Sequence, residues 1–477
     1  MSSDIAFGEQ GFFSATVPNA PSPLLTVNPS ALLFNQIANP IQVNQATLSV
    51  NDGRSLSLLG GNVNLDGGKL QAANGQIDLA GVATGRIELE VNNLLVLPQT
   101  QRADVSLTNS AKVDVTNKGA GKVGISARNL DITEGSSISA GIAPGLTVDN
   151  IAPGDITIDA TGTVKVQSSE LRNVVNIQAT GNAGNIHVSG NRVELSGGGR
   201  LRTRTLGKGD AGNINIKAGE ISIAHPVYDF PVNSQVDDQP ALDASNSGSN
   251  ENYGSGRSGN ISLFADGSIY LSLIRQDREV ENERENKIIS TYNCCDAKGG
   301  GDITLLANGA IFLDNAYLVS SSFSQERGAG SIFINGKESV SIANNSAINA
   351  ISFSSGNSGN ITIQSTGSVL LQTSTVSTNI GSTDLNFLPA QGDAGNIKIS
   401  SKSVAIADGA LVTASTVTSG KAGDIQIDAQ ELVEIAGTTP FPLPGGYCQG
   451  DVTYSSVRTN SEENAKGAGG PIRIIIL

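Results

Sequence analysis

The sequence predicts an all-β chain wound into a right-handed parallel β-helix, a solenoid with three short strands per coil and loop insertions at one corner. Three observations predict it. A glycine-marked turn recurs along the chain, the apolar residues after each turn alternate with a period of two, and the composition is poor in the residues that anchor a large globular core.

The turn has the form G-[small]-G-[N/D] followed by alternating aliphatics. It reads GNAGNIHV at 181, GDAGNINI at 209, GRSGNISL at 256, GGGDITLL at 299, GAGSIFI at 328, GNSGNITI at 356, GDAGNIKI at 392 and GKAGDIQI at 420. PGDITI at 153, GAGKVGI at 119 and GAGGPIRI at 467 are worn or terminal copies. The glycine before the Asn/Asp position falls at 121, 154, 184, 212, 259, 301, 330, 359, 395, 423 and 470. Half of the ten intervals lie at 28–30 residues, and the longer ones, up to 47, read as that period plus an insertion.

Each unit holds three strand-like pieces, as in NIKIS, SVAIA and ALVTAST from Asn396, or NITIQ, SVLLQ and TVSTN from Asn360. Within a piece the aliphatics alternate, Ile397 with Ile399 and Val404 with Ile406, so one row of side chains points inward and the other outward. One coil cannot bury its few aliphatics alone. Stacked coils pair every strand with its equivalent above and below, satisfy the backbone and join the aliphatics into one core. Eleven marked coils at the strand spacing predict a rod of about 50 Å before the N-terminal coils are added.

The marker residues are expected to turn a sharp corner. Gly tolerates positive φ and Asn is the next most tolerant residue, so both are expected in that conformation. Asn185, Asn213, Asn260, Asn360 and Asn396 then stack as an amide ladder, each side chain bonding the next. Asp155, Asp302 and Asp424 take the same place and are expected to interrupt its uniformity. A carboxylate row suggests calcium, but these three are several coils apart and the nonapeptide G-G-x-G-x-D-x is absent. A structural role is expected, and no metal.

Composition narrows the function. The chain has 477 residues with 56 Gly, 4% aromatics, one Met and no Trp, while 38% hydrophobic residues are too many for a disordered chain. Forty-four acidic against 30 basic residues give a net charge of −14 with no long basic stripe, which excludes a nucleic-acid partner. Cys294 and Cys295 are adjacent and Cys448 stands alone. Either of the pair could bond Cys448 if their loops stack; free thiols are the alternative. No Cys/His cluster has metal-ligand spacing. No run of 18 apolar residues is present, so no membrane span is expected. The opening MSSDIAFGEQGFFSATVPNAP lacks the basic start and apolar stretch of a signal peptide.

The insertions carry the distinctive chemistry. In three long repeats extra residues follow the second strand, at 225–240, 275–285 and 437–450, after which ALDAS, KIISTYN and VTYSSVRTN resume as third strands. Insertions at one corner project from one face of the rod. A fourth, GSTDLNFLPAQ at 381, follows a third strand and leaves from another corner. His225, Tyr228, Phe230, the vicinal cysteines and Tyr447 lie in or beside these loops, and Tyr228, Phe230 and Tyr447 are the candidate contact residues for a partner.

Residues 1–120 lack the period but still read as short strands between Gly and Asn/Asp turns. Here FGEQGFF at 7, APSPLLTVNPSALLFNQ at 20 and GRSLSLLGGNVNLDGG at 53 resemble the later part of a two-partner secretion, or haemagglutination-activity, domain. The chain is similar to the large filamentous-haemagglutinin-type exoproteins and adhesins of cyanobacteria, and residues 121–477 resemble the repeat stem that follows that domain. The resemblance implies export through an outer-membrane two-partner secretion transporter. It also implies an extracellular or cell-surface location, and a role in adhesion or aggregation on a host-cell or glycan surface. Such proteins begin with a signal peptide and an upstream region with NPN-type motifs. Met1 falls inside the expected domain and GGPIRIIIL begins a further repeat, so the chain reads as an internal portion.

Two other functions fit a β-helix. A polysaccharide-degrading enzyme needs carboxylates clustered on one groove. Asp237 and Asp238 are adjacent and read as loop residues, and His187, between Ile186 and Val188, is expected to face outward as a lone polar residue. No G-x-S-x-G, HExxH or phosphate loop occurs. No catalytic residue and no cofactor is therefore assigned, and the chain reads as no enzyme. The passive stalk of a contact-dependent toxin would need a distinct effector domain after Gly470.

Overall fold

The computed structural model describes residues 3–7, 11–14, 30–90, 93–96, 100–148, 151–226, 240–247, 256–274, 287–293, 299–324, 327–353, 355–381, 391–439, 453–461, 465 and 467–476. Among them every regular element is a strand, and most of the strands stack in parallel: the fold is all-β and parallel β-helix-like.

Sequence periodicity becomes register. The first isoleucine after each turn pairs with its equivalent one repeat later: Ile156 with Ile186, then Ile214, Ile261, Ile303, Ile332, Ile361, Ile397, Ile425 and Ile472. All but Ile472 are buried, and each contributes about 1.5–3 kcal/mol by leaving water. Thirteen described third strands form one continuous parallel sheet from Thr47–Ser49 to Ser456–Arg458. Its inner column runs in register from Leu48 through Leu70, Val113 and Ile138 to Val412 and Val457. Twelve spacings of about 4.8 Å give this sheet a length near 58 Å.

The corners are unequal. In Ile186–Ser196, Ile214–Pro226, Ile397–Ala407 and Ile425–Ala436 the first and second strands run on as one, so the corner between them is only a shallow bend. In the first of these strands the in–out alternation slips at Gly190–Asn191 and then resumes. The sharp corner lies between second and third strands. There Asn109 (φ 54°), Glu134 (57°), Ser168 (50°), Asn315 (52°), Asn344 (53°), Thr373 (44°) and Asp408 (50°) adopt the left-handed conformation. Positive φ was expected at the marker glycines and asparagines. None of them has it, because the tight turn is made elsewhere in the coil.

Register crosses residue 120 without a break. Gln76–Glu90 pairs in parallel with Lys122–Ala127, which pairs with Ile156–Ala160. The stack already begins at Ile41–Asn44 and Thr47–Ser49. What distinguishes the N-terminal part is an antiparallel group. Asp4–Ala6 pairs with Phe12–Ser14 and Ala31–Phe34, and Ala31–Phe34 pairs with the far half of Gln76–Glu90. Phe34, Ala80, Val82 and Ile87 pack there as a small separate core. At the other end Ile472–Ile476 pairs with Ile425–Ala429 and keeps its apolar side chains exposed.

Candidate functional site

The turn face is built first by contact and only then by conformation. A Cβ on Gly184, Gly212, Gly259, Gly301, Gly330, Gly359, Gly395, Gly423 or Gly470 would overlap the carbonyl oxygen of the marker glycine one coil earlier. The same holds three residues upstream, where Gly209, Gly256, Gly420 and Gly467 each lie against the preceding glycine carbonyl. Two columns of backbone therefore stack face to face, and any side chain would push the coils apart.

The eight Asx residues form one row on this face. Asn185 N–H donates to Asp155 Oδ1 at 2.7 Å, Asn213 N–H to Asn185 Oδ1 at 2.9 Å, and Asn260 N–H to Asn213 Oδ1 at 2.8 Å. Asp302 N–H donates to Asn260 Oδ1 at 2.8 Å, and Asp302 Oδ1 accepts from Ser331 N–H at 2.7 Å. The row then passes through Ser331 to Asn360, Asn396 and Asp424. Each rung is side-chain oxygen to backbone N–H, where an amide-to-amide ladder was expected. A carboxylate accepts as well as an amide does, so Asp155 and Asp302, which do occupy the same place as the asparagines, make the same rung where a break in uniformity was expected. Only Asn185 and Asn213 also donate their amide to the preceding rung among the described residues, at 3.1 and 3.0 Å.

A second row, three residues upstream, was not read from the sequence. Asp210 N–H donates to Asn182 Oδ1 at 2.9 Å, Arg257 N–H to Asp210 Oδ1 at 2.8 Å, Asp393 N–H to Asn357 Oδ1 at 2.8 Å and Lys421 N–H to Asp393 Oδ1 at 2.8 Å. The signal was present as the Asn/Asp after the first glycine in GNAGN, GDAGN, GNSGN and GDAGN. From inside, hydroxyls one residue past the third strands tie the turn down: Thr203, Thr291 and Thr378 donate to the carbonyls of Gly212, Gly301 and Gly395 at 2.5, 2.8 and 2.5 Å. Where both Gly299 and Gly328 replace the Asx of the second row, a cleft of about 850 Å³ opens between Arg257, Arg327, Asp210 and Asp302.

The shallow bend carries a second concavity. A groove of about 540 Å³ is lined by Asn335, Gln364, Ser400 and Asp428 on one wall, with Thr366 and Gln430 beyond the buried Ser365, Ser401 and Ala429. Register makes Asn335, Gln364, Ser400 and Asp428 one outward row. Its continuation toward the N terminus is Leu306 and then Phe264, which is 50% exposed. Across the bend the second-strand row carries Tyr270 and Phe312, whose rings stack 5.1 Å apart at 8° and remain exposed. Two cations near the groove are paired: Lys398 Nζ lies 3.7 Å from Asp428 Oδ2 and Lys402 Nζ 3.0 Å from Glu431 Oε1. Asp428 also accepts both bonds of the Gln426 amide, at 3.0 and 2.8 Å.

Tyr228, Phe230 and Tyr447 lie outside the described residues, as do Asp237, Asp238, Cys294, Cys295 and Cys448. The strand ends that flank three insertions are described. Pro226, Ile274 and Thr439 are the last strand residues before them, and Leu242, Ile289 and Thr453 the first strand residues after them. His225 is not in a loop: it is the penultimate residue of a strand, 2% exposed. His187 does face outward but is not alone, with Nε2 3.8 Å from Asp155 Oδ2 and Nδ1 3.4 Å from the Asn215 amide. Near the N terminus burial pushes the Asp78 carboxyl above its usual range, and hydrogen bonds from Gln76 and Ser57 offset part of that. Among the described residues no three His, Cys, Asp or Glu side chains gather as a metal site, and no helix is long and apolar enough to cross a membrane. Comparison with family models, curated proteins and solved structures found no match to this chain.

Proposed function

We propose that this chain is the non-catalytic stem of an adhesin-like exoprotein of the filamentous-haemagglutinin type. It acts outside the cell or at its surface, and an outer-membrane two-partner secretion transporter exports it. Its coils wind right-handed with three strands each, the hand that parallel crossover connections take in almost every case. The observation that carries the reading is the unbroken register of thirteen parallel third strands, which suits a stiff spacer better than a closed catalytic domain. The recurring carboxylates support the same reading, since Asp155, Asp210, Asp302 and Asp393 each accept the backbone N–H of the next coil.

Protease treatment of intact source cells tests it. The chain should be digested from outside while cytoplasmic markers survive, and deletion of its gene should reduce cell aggregation or attachment. Protection of the chain until lysis would sink the surface reading. Release of new reducing ends from polysaccharide by the purified chain would replace the stem with an enzyme.

A further inference from the structure

We propose that the groove at the shallow bend, with its aromatic extension, binds a neutral, hydroxyl-rich polysaccharide laid along the axis of the stack. The inference deepens the surface-stem reading by naming the partner class, and rests on that reading for access to the ligand.

Geometry comes first. The outward row Asn335, Gln364, Ser400 and Asp428 repeats one polar side chain per coil. The coil spacing of about 4.8 Å is close to the length of one pyranose unit in an extended glycan, so successive sugars meet successive coils. The groove volume of about 540 Å³ accommodates a few sugar rings. Chemistry comes next. Amides, hydroxyls and a carboxylate hydrogen-bond sugar hydroxyls, while an exposed ring such as Phe264 packs on the apolar C–H face of a pyranose. Leu306 and Phe264 continue the polar row in register, and Tyr270 and Phe312 stand on the facing row. One ligand can therefore meet hydrogen-bonding and stacking surface along the same line.

Charge selects among ligands. Lys398 and Lys402 are paired with Asp428 and Glu431, and the exposed Lys337 beside Thr366 is a single lysine, so the groove offers no cationic cluster to phosphate or sulfate. A peptide adding a strand needs an open sheet edge. The groove lies on a sheet face whose backbone is already paired to the coils on both sides. A neutral glycan needs neither.

Isothermal titration of the full 477-residue chain tests this, with cellohexaose, laminarihexaose and maltohexaose as probes. At least one should bind, with affinity unchanged between low and high salt. Replacing both amides, Asn335→Ala with Gln364→Ala, should weaken it about tenfold, and Phe264→Ser should weaken it by a comparable factor. All three positions face outward, and variants with the wild-type far-UV spectrum and melting temperature qualify for the comparison. Absence of binding to all three probes, binding that the variants leave unchanged, or binding abolished by salt would each overturn the proposal. A chain found at the surface that binds no hexasaccharide removes the groove and leaves the stem. A chain that binds a hexasaccharide but is protected inside cells removes the stem and leaves the groove.

Discussion

Gly212→Ala separates the two explanations of the marker glycines. Gly212 has ordinary φ, so a methyl group there costs nothing in backbone conformation. Its Cβ would instead overlap the carbonyl of Gly184, with the Asn185 nitrogen 3.2 Å away. Both belong to backbone fixed by pairing on either side, so neither can rotate out of the way. Overpacking of this kind costs about 1–3 kcal/mol. Forcing the coils apart also weakens the bond from Asn213 N–H to Asn185 Oδ1, now 2.9 Å, for a further 0.5–1.5 kcal/mol or so. The expected total is about 1.5–4.5 kcal/mol. Gly135 is the control: its φ is +75°, and the nearest atom to its Cβ is Ser110 Oγ at 3.4 Å. Gly135→Ala should therefore carry only the left-handed penalty of about 1–2 kcal/mol. Urea unfolding gives the overall order, and hydrogen exchange of peptides within 181–226 reads the local effect, since a stacked array opens in parts. If Gly212→Ala costs no more than Gly135→Ala, the close-approach account of the marker is wrong.

Three further outcomes rest on the same geometry. Asn360→Asp should leave stability within about 0.5 kcal/mol, because an oxygen still accepts the Asn396 N–H, while Asn360→Leu should cost about 1–3 kcal/mol; urea midpoints distinguish them. Ile261→Ala, inside the isoleucine column, should cost about 2–5 kcal/mol, but Ile472→Ala, 43% exposed, should cost below about 1 kcal/mol by the same assay. The folded pKa of Asp78 is raised above the unfolded value near 3.8, so ionising it opposes folding. Wild-type stability should fall relative to Asp78→Asn as pH rises from 3.8 through the folded value, and the two should converge below pH 3.8; a gap independent of pH would refute this.

The stacking was legible because it depends on spacing alone. Ile186, Ile214 and Ile261 follow Gly-Asn at each turn, and an in–out period of two leaves them one side to occupy. Which corner is sharp was not legible. Asn344, Thr373 and Asp408 make it with different residue types, whereas the glycines that recur do so because neighbouring backbones touch, and contact between coils leaves the same mark in a sequence as a turn does. The Asx row was visible as a column, but its chemistry was misread. Asn and Asp look unlike until the partner is known to be a backbone N–H, and then Asp155, Asp302 and even Ser331 are equivalent. The groove had no local signal at all. Asn335, Gln364, Ser400 and Asp428 lie about 30 residues apart and share no motif, so only the register brings them together.

The direction of the stacking bonds sets how such a molecule bears a load. The rungs between coils lie along the axis, so a pull on the two ends loads them one coil at a time, as in opening a zipper. A 28-residue coil that peels away releases roughly 95 Å of chain, and a 47-residue coil roughly 160 Å. Stretching should give a series of small, unequal steps in place of one rupture. Each step would dissipate work while the coils still stacked keep hold, so a stack of this kind yields under load before it breaks.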